Sequence, residues 1–320
     1  MTNCTMAVKD TQFYYDIISG LSEFPKQLPS KYFYDAIGDK LFQDIMNCKD
    51  YYLTRCEMEI LELQTEDIIA SITSDDYFEL VELGPGDGIK SIKLLKELSR
   101  QKADFSYIPI DISHSVIDNL EALVSDTLPQ VKTSGMNGDY FDMLNQLRNS
   151  NGARRVVLCL GGNIGNMTLT ESHAFCEKLR QSLSQGDKII FGFDLVKNPA
   201  IIRKAYDDSE GITRRFNLNL LERMNRELGS DFDVTNFEHY CNYDPETGSC
   251  KSYLICLEDL DVHFQDTVVS FRENEYINME ISQKFTLSQI EKMAQHTGFT
   301  VDRTFFDSKK WYVDSVWEAI

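Results

Sequence analysis

No apolar run in this 320-residue chain approaches the roughly 20 residues that a membrane helix requires, so no spanning segment is expected. Basic residues are scarce: 32 Lys and Arg stand against 51 Asp and Glu, a formal net charge of -19. Phosphate backbones and anionic lipids need a basic surface, which argues against nucleic acid and membrane as partners. The acidity fits an enzyme acting on a small neutral or cationic molecule, and equally a surface that is acidic only for solubility. CxxC spacing is absent among the eight cysteines (Cys4, Cys48, Cys56, Cys159, Cys176, Cys241, Cys250, Cys256), which therefore read as reduced thiols. The five histidines are scattered; His239 and Cys241 are close, but no second pair completes a zinc set, and no metal is expected. Internal repeats, low-complexity tracts and obvious linkers are also missing. The opening MTNCTMAVKDTQFYYDIISG has no basic stretch followed by an apolar core, so the expectation is a cytoplasmic protein without a secretory signal.

What is present is a globular composition, 42% apolar and 26% charged, in a length that suggests about two domains. From residue 78 apolar runs alternate with helical patterns. FELVEL (78–83), FSYIPID (105–111), QVKTSGM (130–136), RRVVLCLGG (154–162) and DKIIFGFDL (187–195) read as strands. GIKSIKLLKELSR (88–100) places Ile89, Ile92, Leu94, Leu95 and Leu98 on one helical side, and SVIDNLEALVSDTL (115–128) is a second helix. Thr168 with Glu171 predicts a capping box for a helix running to about Leu183. Five strands alternating with helices predict an α/β fold, a doubly wound, mostly parallel sheet with right-handed crossovers.

The alternation stops near residue 196. NPAIIRKAYDDSEGITRRFNLNLLERMNRELG (198–229) reads as long and helical, and 231–249 as loop-rich. KSYLICLE, DVHFQDTVVSF and EYINMEISQKF read as strands. A capping box at Thr286 and Gln289 opens another helix, and the C-terminal segment reads as an antiparallel hairpin. The expected division is therefore 60–195 with 287–320 as a ligand-binding sheet domain, and 1–59 with 196–286 as an α+β substrate-binding domain. On NMEISQKF (278–285), side chains two apart share a face, so Glu280 and Ser282 point one way and Met279 and Ile281 the other.

VELGPGDG (81–88) follows a strand and opens a helix, where glycines let backbone approach a ligand. It is not the dinucleotide fingerprint, which needs Gly where Ile89 stands. The form E-x-G-x-G-x-G instead resembles the first motif of S-adenosylmethionine (SAM) methyltransferases. Asp111 ends the second strand, where an acid can hold ribose hydroxyls or cap the next helix. Gly138-Asp139-Tyr140 follows the third, as an adenine contact or a plain turn. Three such sites at the carboxyl ends of successive strands favour one ligand crevice. LGGNIGN (160–166) follows the fourth strand, and Asn166 there offers both a donor and an acceptor, or a turn residue. YFYDAIGDKLFQDIMNCKDYYLTRCE (32–57) sets several tyrosines beside charge; such rings are core residues or the walls of a site for a cation.

With FYDAIGDKLFQDI, DYYLTRCEMEIL, ELGPGDGIK, YIPIDIS, GDY, LGGNIGN, FGFDLVKNPAIIRKAYDD, FNLNLLERMNRELGSDFD and EISQKF together, the chain resembles the histidine-specific Nα-methyltransferases of ergothioneine biosynthesis from about residue 27 to its end. The resemblance implies a class I SAM methyltransferase domain, SAM as methyl donor, no metal, a monomer, and L-histidine converted to its trimethylated betaine. It assigns Gly84, Gly86, Lys90, Asp111, Asp139 and Tyr140 to the cofactor. Asn166 and Tyr206 match the groups that hold the substrate carboxylate, and Tyr34 the tyrosine near the amino group, flanked by Gly161 and Phe216. Tyr51, Glu280 and Ser282 match the imidazole-binding groups. Two departures stand out. Pro85 and Asp87 occupy places where small hydroxyl residues are common, and Ser252 or Tyr253 stands where the family places a methionine near the substrate ring. The second keeps a tryptophan- or tyrosine-like substrate open, beside a non-catalytic SAM or amino-acid binder.

Overall fold

A computed structural model describes residues 11–74, 76–148 and 152–320; Cys4 lies outside the described residues. Along the chain the elements are α1 (Gln12–Ser22), β1 (Lys26–Gln27), α2 (Ala36–Asn47), α3 (Leu53–Leu63), α4 (Thr65–Ile72), β2 (Phe78–Leu83), α5 (Ile89–Arg100) and β3 (Phe105–Asp111). Then come α6 (His114–Thr127), β4 (Lys132–Thr133), β5 (Met136–Asn137), α7 (Tyr140–Arg148), β6 (Arg154–Cys159), α8 (Leu169–Ser182) and β7 (Lys188–Asp194). After β7 follow α9 (Pro199–Tyr206), α10 (Ile212–Leu228), β8 (Phe237–Asp244), β9 (Ser249–Cys256), β10 (Leu260–Phe264), β11 (Thr267–Phe271), β12 (Tyr276–Gln283), α11 (Leu287–His296), β13 (Phe299–Phe306) and β14 (Tyr312–Ala319). Backbone contacts divide the chain into a sheet unit, Leu53–Val196 with Gln283–Ile320, and an inserted unit, 11–52 with Lys197–Ser282.

In the sheet unit the strand order is β13-β14-β7-β6-β2-β3-β4, with β5 also paired to β3. The strands from β7 to β5 are parallel, and β14 and β13 close the sheet antiparallel. β2 is buried at every position, as a central parallel strand covered on both faces must be. The chain runs outward from β2 through β3 in one direction and through β6 in the other, so the loops after β2 and β6 flank a topological switch point. Phe191, Phe193, Phe285 and Trp317 anchor the core, with ring centroids 4.8 Å (Phe191–Trp317) and 5.1 Å (Phe193–Phe285) apart. Each such pair adds about 0.5–1.5 kcal/mol beyond its buried area. Both capping boxes form, at Thr168–Glu171 and Thr286–Gln289.

The third expected strand is broken into β4 and β5. The Gly135 N–H donates to Glu121 at 2.6 Å instead of to β3, and a side chain at 135 would run into Ile117.

The inserted unit has a four-stranded sheet, β1-β12-β9-β8, and the separate hairpin β10–β11. Three expectations change here. The long helical segment is two helices, because Asp208 accepts N–H bonds from Glu210, Ile212 and Thr213 and restarts the helix after Gly211. The loop-rich stretch contains β8, whose Phe237 and Cys241 are buried while Glu238 and Tyr240 face outward. DVHFQDTVVSF is a hairpin turning at Gln265, which adopts a φ of 50° without a glycine. Phe232 packs against Phe237, Phe264 and Phe271 beneath it, with centroids 5.6, 5.8 and 6.0 Å away.

Candidate active site

The residues matched to the cofactor lie at the carboxyl ends of β2, β3 and β5, in the following loops or at the starts of the following helices. Gly84 has a φ of 66°, and a Cβ there would stand 2.5 Å from the Tyr140 hydroxyl. Gly86, at φ 59°, has open space where a side chain would project. This is a cradle that only glycine leaves open, at the start of α5, where unpaired N–H groups accumulate. Asp111 accepts the Ser113 N–H at 2.8 Å, and it is Ser113, not Asp111, whose side chain caps α6. Asp139 accepts from the N–H groups of Phe141 and Asp142, the turn role weighed for it, through one carboxylate oxygen. Lys90 does not project freely: its ammonium is 2.7 Å from Glu57 Oε2. Gly161, at φ 79°, donates its N–H to Glu57 Oε1 at 2.7 Å. Asn166 is exposed at the end of a short turn, Asn163–Asn166. These acceptors and the open glycine loop fit a nucleoside bearing a sulfonium amino acid.

The other residues matched to the substrate, apart from Gly161, belong to the inserted unit. Glu280 and Ser282 sit on β12, beside β9. Ser252 of β9 donates to Glu280 at 3.3 Å and is 1% exposed. Tyr253 points elsewhere, its ring 5.4 Å from Tyr276 and 6.3 Å from Tyr240, so Ser252 is the residue that neighbours Glu280. Ser282 shares a 2.6 Å hydrogen bond with the Tyr206 hydroxyl, and the Tyr206 ring meets Tyr51 edge-on at 6.0 Å. Tyr206, matched to the carboxylate, is thus joined to the pair on β12.

Tyr34 stands edge-on to Phe42 (5.5 Å) and Phe216 (5.8 Å), making an aromatic corner. Asp35 fixes its backbone by capping α2 through Gly38 and by accepting from Asn219 and Arg226 of α10. Burial pushes the Asp35 carboxyl up, but these donors outweigh it and hold it below the usual range. Tyr34 is 45% exposed, but its phenol is held above its ordinary value, first by desolvation from the surrounding protein and then by the Glu280 and Asp39 carboxylates.

Sequence reasoning missed Phe42, Glu57, Tyr312 and Asp314. Phe42 lies in the quoted aromatic segment and could have been found there. The other three are single residues on α3 and β14, and only the tertiary fold assembles them.

A twisted parallel sheet with a terminal antiparallel hairpin and a glycine cradle at its switch point defines a class I SAM methyltransferase domain. The family described as histidine-specific, SAM-dependent methyltransferases matches residues 13–319, and the chain belongs to that family. A histidine N-alpha-methyltransferase from Mycolicibacterium smegmatis is 35% identical over 272 residues, covering 84% of this chain and 83% of the relative. An L-tryptophan methyltransferase from Psilocybe serbica is 26% identical over 323 residues, covering 92% and 90%. Among solved structures, a SAM-dependent methyltransferase from Clostridium acetobutylicum aligns with a TM-score of 0.42 at 13% identity, over 88% of this chain and 96% of that one. Among the described residues no His, Cys, Asp and Glu are grouped to hold a metal, and no helix is long and apolar enough to cross a membrane.

Proposed function

We propose that the protein methylates the α-amino nitrogen of L-histidine three times, giving histidine betaine (hercynine). The observation that carries this reading is the polar pair on β12, Glu280 oriented by buried Ser252 and Ser282 held by Tyr206. A neutral imidazole has one N–H and one acceptor nitrogen. Glu280 takes the N–H, and the Ser282 hydroxyl meets the other side of the ring. A phenylalanine side chain would leave both groups unpaired, a mismatch that costs on the order of 10⁴ in discrimination.

SAM, held by Gly84, Gly86, Lys90, Asp111, Asp139 and Tyr140, supplies a methyl group already activated by its sulfonium. The chain's own task is to orient the amine. Asn166 provides a donor and an acceptor for the substrate carboxylate, and Tyr206 a hydroxyl. An α-amino group titrates near ~8, so a neutral fraction is accessible without a strong base, and solvent takes the proton. The aromatic corner of Tyr34, Phe42 and Phe216 stabilises the growing quaternary cation through its ring faces. With its ionisation held high, the Tyr34 phenol stays protonated as a donor.

The test is incubation with SAM and each proteinogenic amino acid, followed by product masses. Histidine should gain three methyl groups; turnover of a different amino acid with none from histidine overturns the assignment. A second reading, methylation of a larger aromatic amino acid, is favoured by the small side chain of Ser252 beside Glu280. The same screen separates the two.

A further inference from the structure

Beneath the glycine loop the sheet unit buries more carboxyl groups than it has cations to match. Glu57 on α3 is engaged through both oxygens: Oε2 accepts from Lys90, and Oε1 accepts from the Gly161 N–H at 2.7 Å and the Tyr312 hydroxyl at 3.0 Å. Gly192 on β7 leaves the room for this, since a Cβ there would lie 2.5 Å from Glu57 Oε1. Asp314 stands directly opposite Gly192 in the β14–β7 ladder, so its side chain shares the sheet face that Glu57 occupies; it is 0% exposed, and neither of its oxygens has a hydrogen-bond partner among the described residues. The cluster borders the cradle through Asn163, whose amide lies 3.3 Å from the Cβ position of Gly84 and 3.8 Å from that of Gly161.

We propose that Glu57 and Asp314 are alternative counter-ions of Lys90: Glu57 is the resident partner and positions Lys90 for the cofactor and Gly161 for the substrate side, while Asp314 is held in reserve. The geometry separates the two roles. A carboxylate accepting three donors is stabilised, whereas a buried one with no donor is costly and keeps its proton. Burial and the Glu57 charge drive the Asp314 carboxyl far above its ordinary range, and Lys90 only partly opposes them.

The other groups facing the cluster are committed. Lys90 is pulled down by burial, but the carboxylates of Glu57, Glu82 and Asp314 outweigh this and keep it charged. Glu82 on β2 is also pushed up by burial and accepts from Tyr107. Asp194 on β7 is paired with Lys284 at 2.7 Å. Burial, then Glu57 and Glu82, push the Cys159 thiol on β6 up to about 12. Burial, then Glu57 and Asp314, hold the Tyr312 phenol protonated. If Glu57 loses its charge, Asp314 releases its proton to solvent and takes over Lys90.

The experiment compares Glu57→Gln, Asp314→Asn and the double variant in the full chain. Asp314→Asn replaces a protonated acid with a neutral isostere, so SAM affinity by calorimetry should stay within about twofold. Glu57→Gln keeps the acceptor for Gly161 and should weaken SAM about threefold, and the double variant by ~30-fold or more, well beyond the product of the singles. Infrared spectra of the unmodified protein should show a buried protonated carboxyl band at neutral pH that loses intensity in Asp314→Asn and also in Glu57→Gln. The Asp314 acid is raised in the fold, so its stability contribution is present below the ordinary 3.8 and lost as pH rises. Asp314→Asn should therefore raise Tm at neutral pH, and the gain should shrink toward pH 3.8. A lowered Tm at every pH, an unchanged band in Glu57→Gln, or strictly multiplicative SAM effects would overturn the proposal. The inference rests on the cofactor reading only in the affinity readout. Unchanged SAM binding in all variants, with the band and Tm behaving as stated, would reject that reading and not the pair.

Discussion

In the sheet unit Gly84, Gly86 and Gly88 fall within one turn of chain, a glycine loop that under the proposed reading offers the cofactor its backbone. In the inserted unit Tyr34, Tyr51, Tyr206, Ser252 and Glu280 arrive from separate segments, and the proposed recognition is by side chains. A backbone cradle is indifferent to most substitutions around it and suits a donor shared by many reactions. A side-chain constellation changes with single residues.

Four measurements bear on this contrast, the largest effect first. Glu280→Ala should cut kcat/KM for histidine by roughly 10–100-fold, the worth of a charge-assisted hydrogen bond, while the KM for SAM stays put. Equal changes in both would collapse the distinction between the halves. Gly84→Ala should do the reverse: a left-handed L-residue costs about 1–2 kcal/mol, so SAM affinity should drop about tenfold with histidine KM unaffected. Tyr206→Phe removes the hydroxyl that holds Ser282, a neutral bond worth about 1 kcal/mol, and histidine KM should rise ~5-fold.

The smallest effect concerns pH and sharpens the contrast further. Burial holds His239 of the inserted unit neutral, lowering it from 6.5 to about 4 with help from Arg214 and against Asp207 and Asp208. A depressed base favours the fold at high pH and loses that advantage as pH falls from 6.5 toward 4. Tm should decline over that window, and His239→Gln should flatten the slope; a slope unchanged by the substitution would remove His239 as its source. Asp314 in the sheet unit gives the opposite dependence.

The same contrast explains what was legible in the sequence. β2 and β3 were read to the residue, because a buried parallel strand and a glycine turn are local signals. The two capping boxes were equally local. β8 was missed because FEHYCNYD mixes polar and apolar residues on a strand with one face outward. The β10–β11 turn was missed because Gln265 is not a turn residue by type. For the candidate pocket, periodicity told only that Glu280 and Ser282 share a face; a ligand for that face came from the family resemblance. Glu57 closes the quoted 32–57 segment without standing out in it, and Asp314 carried no signal, since a lone acid in a helix or strand reads as surface until the fold buries it.

The inserted segment leaves the sheet unit after Val196 and returns at Gln283, and just inside those points Leu195 and Phe285 are bridged, with the Val196 N–H donating to Phe285 at 3.0 Å. The host sheet therefore sees this long excursion as a loop whose ends are already side by side. Closing such a loop costs only slowly more entropy as it lengthens. The catalytic scaffold can accordingly accept, enlarge or exchange its recognition module at little thermodynamic expense, which makes this junction a natural site for grafting new substrate preferences onto an unchanged donor fold.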